Sequence, residues 1–275
     1  MNTVLIPCHS RADMLTVCLR KIQLANKANE QFYLFLVDRG FDQEIIHTIN
    51  EFPLEKKIHY TPYHRFRGNS YNLLEGYKIA YEKYSSELVY MVEEDIFIGK
   101  DFFDFHEKVQ SQYYSFCVSA VNCHGDGRSF PLEPNSIYCY PHYQSLGVSW
   151  RRENLKDIVK HANLKFYRHM GSYVVSEFPK SQYGNAFHEQ DGLINRIREK
   201  FNDGVIYPYV PRAFHAGYKG YNRPGKDFIG SRIERANKIE NASQEELNSM
   251  ANIMKDIKPC SLEDYKIETF EFKSN

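Results

Sequence analysis

Each thing missing from this sequence removes a class of protein. Thirty-five Lys and Arg stand against thirty-five Asp and Glu, so there is no net charge. That balance argues against a surface coated for nucleic acid or an anionic membrane. No run of about eighteen apolar residues occurs, so no transmembrane helix is expected. The opening Met1-Asn2-Thr3-Val4-Leu5-Ile6-Pro7 has neither the basic segment nor the apolar run of a signal peptide, and a soluble, cytoplasmic protein is expected. The six cysteines (8, 18, 117, 123, 139 and 260) form no CxxC pair, which fits reduced thiols better than a disulfide framework or a zinc site. No glycine-rich dinucleotide fingerprint or Walker loop follows any strand-like segment, which disfavours a Rossmann dehydrogenase or a P-loop enzyme. Internal repeats and linker composition are absent too.

Aromatic residues are abundant. The 21 Tyr and 19 Phe are enough to line surfaces by stacking as well as to fill a core. The most informative stretch is 88 to 103, in which Leu88-Val89-Tyr90-Met91-Val92 runs into Glu93-Glu94-Asp95 and then Ile96-Phe97-Ile98. Bounded by Ser85-Ser86 and Gly99, it reads as one strand buried on both faces. Side chains alternate along a strand, so Glu93 and Asp95 are expected on one face and Glu94 on the other. Two carboxylates at the carboxyl edge of an α/β sheet lie where such sheets bind ligands, and they suit magnesium or manganese.

Strand and helix alternate through the first hundred residues. Strands are predicted at 3 to 6, 32 to 37, 58 to 61 and 88 onward. A first helix, capped by Ser10 with Asp13 three residues on, carries Leu15, Cys18, Leu19 and Ile22 on one stripe. Helices marked by Ile45, Ile49 and Phe52, and by Leu73, Leu74, Tyr77 and Ala80, separate the later strands. This order predicts βαβ units, a parallel sheet and a nucleotide-binding α/β architecture.

The second half is mixed. Strands are expected at 116 to 121, 137 to 140, 146 to 150 and 205 to 209, with a helix over 151 to 162 and a long irregular segment over 165 to 187. A helix starting at His188-Glu189-Gln190-Asp191 places two acids in its first turn, which the helix dipole also favours. From 211 to 238, seven basic residues (212, 219, 223, 226, 232, 235 and 238) outnumber two acidic ones. The tail after 241 has a helical pattern and a strand-like end at 267 to 272.

In series, these landmarks resemble a GT-A glycosyltransferase, most like glycosyltransferase family 2. They are Ile6-Pro7 with Arg11 beyond, Asp38 at a strand end, Glu93-Glu94-Asp95 before Phe102-Phe103, the acidic helix start at 189 to 191, and a late His215. The resemblance covers residues 3 to 220 and implies a Rossmann-like, mostly parallel sheet flanked by helices with a mixed C-terminal half. It implies one domain over 1 to 240, with a donor half to about residue 103 and an acceptor half from about 104, and a C-terminal helical appendage over 241 to 275.

The resemblance also implies roles. Asp95, with Glu93 and His215, would bind a divalent metal, Mn2+ or Mg2+. Glu93 or Glu94 would contact the ribose or sugar of a nucleotide-sugar donor, Asp38 would hold the donor's base, and Pro7 and Arg11 would line that pocket. Lys219, Arg223 and Arg67 are the candidates for the diphosphate. Asp191 is the first choice for a general base and Glu189 the second, in a transfer favoured as inverting, with a UDP-sugar favoured as donor and the acceptor unassigned.

The chemistry agrees: charge builds on a departing diphosphate, and an acceptor hydroxyl needs a proton acceptor. Two other readings stay open. A sugar-phosphate nucleotidyltransferase would need a glycine-rich basic loop where Pro7-Cys8-His9-Ser10-Arg11 stands. A non-catalytic nucleotide-sugar or glycan-binding protein would have no use for the retained acids. A thiol mechanism from Cys8-His9 is disfavoured because neighbours on a strand diverge.

Overall fold

A computed structural model describes residues 1–38, 40–60, 68–122, 137–184, 186–201, 204–208 and 210–215, and the backbone of 267–268. The parallel half is β1 (Asn2–Cys8), α1 (Ala12–Leu24), a 3-10 turn (Ala28–Glu30), β2 (Gln31–Val37), α2 (Gln43–Glu51), β3 (Lys56–Tyr60), α3 (Asn69–Lys83) and β4 (Leu88–Met91). There follow β5 (Ile96–Ile98), α4 (Phe102–Gln112), β6 (Cys117–Ser119), β7 (Ile137–Tyr140), β8 (Val148–Arg151) and α5 (Arg152–Val159). The chain goes on through α6 (Leu164–Arg168), α7 (Met170–Glu177), α8 (Gln190–Phe201), β9 (Val205–Pro208), β10 (Ala213–His215) and β11 (Ile267–Glu268).

Among the described residues, nine strands form one sheet in the order β11-β7-β9-β6-β8-β4-β1-β2-β3. β4, β1, β2 and β3 run parallel, joined by helical crossovers as the alternation predicts. From β8 onward the sheet is mixed, with β8 antiparallel to both β4 and β6. This is the α/β architecture expected.

The apolar strands are buried on both faces because alternate residues feed two cores. Val4, Ile6, Tyr33, Phe35 and Tyr90 pack with α1, α2 and α4 on one side. Leu5, Leu34, Leu36, Val89 and Met91 pack with α3, α5 and α8 on the other. α3 crosses β2 closely because Gly76 has no side chain; a Cβ there would stand 2.2 Å from Leu36 Cδ1.

Four expectations change. The 88 to 98 run is not one strand: β4 ends at Met91, a turn closed by Ile96 N–H to Glu93 O (2.9 Å) carries the acids, and β5 pairs with β10 in a separate two-stranded sheet. α1 begins after Arg11 with no side-chain cap, so Ser10 is not its capping residue. The segment over 165 to 187 is not irregular throughout. Asn163 accepts the amides of Lys165 and Phe166 to start α6, and Phe166, Tyr173 and Val174 bury a face of α6 and α7. Finally, the backbone of β11 adds a parallel strand to the outer edge of β7, so this part of the tail joins the sheet. The rest of the 241 to 275 segment lies outside the described residues.

Candidate functional site

The carboxyl ends of β1, β2 and β4 lie side by side, and each delivers a polar group. After β4 the chain leaves the sheet while still bonded to β1: Val92 N–H donates to Leu5 O (2.9 Å) and Glu94 N–H to Pro7 O (3.3 Å). Those bonds hold the acid turn against the carboxyl end of β1. Arg11 then grips two of the three carboxylates. Its Nε lies 2.6 Å from Glu94 Oε1 and its Nη1 2.6 Å from Asp95 Oδ2. The other Glu94 oxygen accepts the His9 amide at 2.9 Å.

Glu94 and Asp95 therefore act together and Glu93 is apart, the reverse of the strand-alternation expectation. Alternation fails because residues 93 to 95 form a turn. Glu93 Oε1 accepts from Ser145 Oγ at 3.3 Å. Asp191 lies close to the same serine, and its charge reaches Glu93. This serine, in the connection between β7 and β8, links the acid turn to the start of α8. It carried no signal in the sequence, since nothing in a single polar loop residue reveals which distant acids it will meet.

Environment separates the carboxyls. Burial pushes Glu93 up, reinforced by the charges of Asp95 and Asp191. Burial also raises Glu94, against the opposing pull of Arg11. Asp95 is buried too, yet His215 and Arg11 outweigh that burial and bring its pKa down to about 2. Asp191 moves the other way. Enclosure by protein raises it to about 6, against the hydrogen bond from Gln190. The Gln190 amide contact is 2.6 Å.

β10 brings His215 to the turn, its Nε2 lying 3.3 Å from Asp95 Oδ2. Asp95 Oδ1 is buried and, among the described residues, has no hydrogen-bond partner. A carboxylate oxygen without a partner beside an imidazole nitrogen is a donor set that fits a divalent ion, and magnesium on a phosphate substrate commonly uses only one or two protein ligands. Glu93 is turned to Ser145, so the expected three-residue ligand set is not assembled. Among the described residues, no group of three His, Cys, Asp or Glu is placed to hold an ion.

Asp38 is buried at the end of β2 and accepts the Gly68 amide at 2.8 Å, while its own amide donates to Cys8 O. Pro7 serves through its carbonyl, as above. Glu189 adds its charge to the surroundings of Asp191. The Cys8 thiol is buried and pushed well up, which suits a packing residue and not a nucleophile. Arg67, Lys219 and Arg223 lie outside the described residues, as does most of the basic stretch. Its first member, Arg212, is not on a basic surface: its guanidinium is buried 3.2 Å from Asp101. No helix of the described residues is long and apolar enough to cross a membrane.

No protein-family model matches the chain, and no curated protein matches its sequence. Solved structures are similar to it in fold. S. aureus TarS (residues 1–349, in complex with UDP-GlcNAc) is similar at 14% identity and a TM-score of 0.51, over 94% of this chain and 72% of that one. The glycosyltransferase GlyE of Streptococcus pneumoniae TIGR4, at 12% identity and a TM-score of 0.46, aligns over 94% of this chain and 64% of its own. LgtC, at 12% and 0.46, aligns over 89% and 98%. Against another TarS structure this chain spans 60% of the length of its relative. The fold is of the GT-A type.

Proposed function

We propose that this protein transfers a sugar from a nucleoside-diphosphate sugar to an acceptor hydroxyl, with Asp191 as the general base. The observation that carries this is the pairing across Ser145 of an acid turn at the strand edge with a separate, proton-avid carboxylate on α8. One end offers the charged groups a diphosphate needs. The other offers a base whose pKa of about 6 leaves it ionised at neutral pH and still able to accept a proton. The structure of TarS with UDP-GlcNAc supports a UDP-sugar as donor.

In this reading the donor half extends to about residue 103 and the acceptor half from about 104 to 240. Asp38 takes the nucleoside base, and the His9–Arg11 turn positions Glu94 and Asp95 beneath the diphosphate. Asp95 and His215 would hold a divalent ion, whose chemistry is to offset charge on the departing diphosphate. Glu93, its pKa raised by burial, accepts from the Ser145 hydroxyl beside Asp191. Asp191 withdraws the acceptor's proton as its oxygen attacks the anomeric carbon from the side opposite the diphosphate, which inverts the configuration.

Calorimetry with UDP and manganese, followed by product analysis with UDP-sugars, tests the reading. Wild type should bind UDP and release it from a UDP-sugar. Asp191→Asn should bind UDP unchanged but lose turnover by roughly a hundredfold or more, and Asp95→Ala should lose the manganese-dependent part of binding. UDP binding without turnover in wild type would mark a binding module instead, and no UDP binding would sink the donor assignment.

A further inference from the structure

Phe187 precedes the helix of Asp191 by three residues, is 63% exposed, and has φ +52°. That left-handed conformation is disfavoured for a residue with a bulky side chain, and such backbone persists where its surroundings impose it. Here α8 imposes it. Arg196 is buried, and its Nη1 donates to Phe187 O (2.7 Å) and Gly192 O (3.0 Å), its Nη2 to Gly184 O (2.9 Å) and Ala186 O (2.6 Å). Gly192 permits the approach, since a Cβ there would stand 1.8 Å from the Phe187 carbonyl oxygen.

A second aromatic residue belongs to the same frame. Tyr183 stands edge-on to Phe187, with ring centroids 6.2 Å apart and planes at 87°. The Arg196 guanidinium lies 5.6 Å from the Tyr183 ring centroid. The Tyr183 hydroxyl donates to Asn195 Oδ1 (3.2 Å) and meets His142 Nδ1 at 3.1 Å. Asn195 Nδ2 in turn donates to the Asp191 carbonyl at 3.0 Å. One hydrogen-bonded scaffold thus carries the aromatic pair and the backbone of the candidate base.

We propose that Phe187 and Tyr183 form the acceptor subsite and that the acceptor is a sugar ring, stacked by its C–H face on Phe187 with a hydroxyl reaching Asp191. The inference rests on the transfer reaction proposed above. A pyranose has one face of C–H groups and a rim of hydroxyls. An aromatic face carries partial negative charge that attracts C–H groups, and a carboxylate accepts from a hydroxyl. The protein supplies both, on one rigid frame. A nucleobase would also stack on a ring, but the reading above gives the donor's base to Asp38, at the carboxyl end of β2.

Saturation-transfer NMR on the full chain with UDP present, using the methyl glycosides of glucose, galactose, N-acetylglucosamine and N-acetylgalactosamine as probes, tests this. At least one glycoside should receive saturation on its ring C–H protons. Phe187→Ala should raise its Kd about tenfold, and Phe187→Trp should keep it within about threefold. Both variants should bind UDP as wild type does and melt within about 2 °C of it, since Phe187 packs little surface. Unchanged glycoside binding in Phe187→Ala overturns the proposal. So does the absence of any glycoside signal in wild type, or loss of UDP binding in place of glycoside binding. UDP binding is measured before any glycoside is added; its failure in wild type overturns the transfer reaction, and the subsite with it.

Discussion

Asp191 is a single residue whose placement for chemistry works against stability. Its carboxyl is enclosed by protein on α8, stands across Ser145 from Glu93 of the acid turn, and lies near the Tyr77 and Tyr143 hydroxyls. Its folded pKa is about 6 against an ordinary value of 3.8, so folding favours the protonated form. The sign follows from that. Its contribution to stability is complete below pH 3.8 and is lost as pH rises through about 6. At neutral pH the ionised group costs up to about 3 kcal/mol. Asp191→Asn cannot ionise, so it should be inactive in transfer and yet melt above wild type at pH 7.5, with the gain gone by pH 4; thermal melts at the two pH values read this directly. A variant less stable than wild type at pH 7.5 would contradict it. The transfer rate of wild type should rise with pH through about 6, as the base loses its proton.

Among single residues, legibility in the sequence followed chain proximity. Glu93, Glu94 and Asp95 stood out because three acids after five apolar residues have no packing role, and Asp191 stood out at a helix start. Their partners did not. Ser145 lies 52 residues from Glu93 and Arg11 lies 83 from Glu94. The resemblance puts Arg11 only in the lining of the donor pocket, not as the partner of these acids, and nothing in the sequence singles out Ser145.

Among the elements, α8 is the one on which the acceptor side depends. It presents Asp191 at its first turn and returns Arg196 to the connection that precedes it, where one guanidinium binds four backbone carbonyls. Of these only the Gly192 carbonyl is buried, the other three belonging to exposed residues; a buried carbonyl that loses its partner costs about 1–3 kcal/mol and an exposed one much less. Arg196→Met fills similar space without the donors, and it should lower stability by about 1–3 kcal/mol, read from the urea midpoint. An unchanged midpoint would show that water replaces the guanidinium without loss. The helix itself was legible from its acidic start, and its Leu193, Ile194 and Ile197 pack in the core. The clamp was not, because an arginine in a helix ordinarily reads as a solvated charge. The acid turn is a similar case: the apolar run before it reads as strand, but only pairing shows that β4 stops at Met91 and that β5 belongs to another sheet.

Across the protein as a unit, β8 joins the parallel half to the mixed half, since it pairs with β4 on one side and β6 on the other. Trp150, the single tryptophan, sits in this strand, fully buried. Its indole N–H donates to Tyr77 of α3, and its ring meets Phe116 and Tyr143. The halves share a continuous sheet and a core cluster that draws on both. Thermal unfolding followed by Trp150 emission should therefore coincide with far-UV circular dichroism in one transition. Two separated transitions would show that the halves unfold independently.

The α/β class, the run of parallel strands in the first half, the acids at the strand edge and the helix that carries Asp191 could all be read from the chain before any fold was known. Those features are local: apolar periodicity, the position of an acid relative to a strand end, and the start of a helix are all set within about ten residues. Only folding reveals which acids act together, that Arg11 grips Glu94 and Asp95, that Ser145 links Glu93 to Asp191, and that Arg196 holds the Phe187 backbone ahead of α8. Each of those depends on groups brought together by the folded backbone, and side chains whose partners come from elsewhere in the fold leave no periodic trace in the sequence.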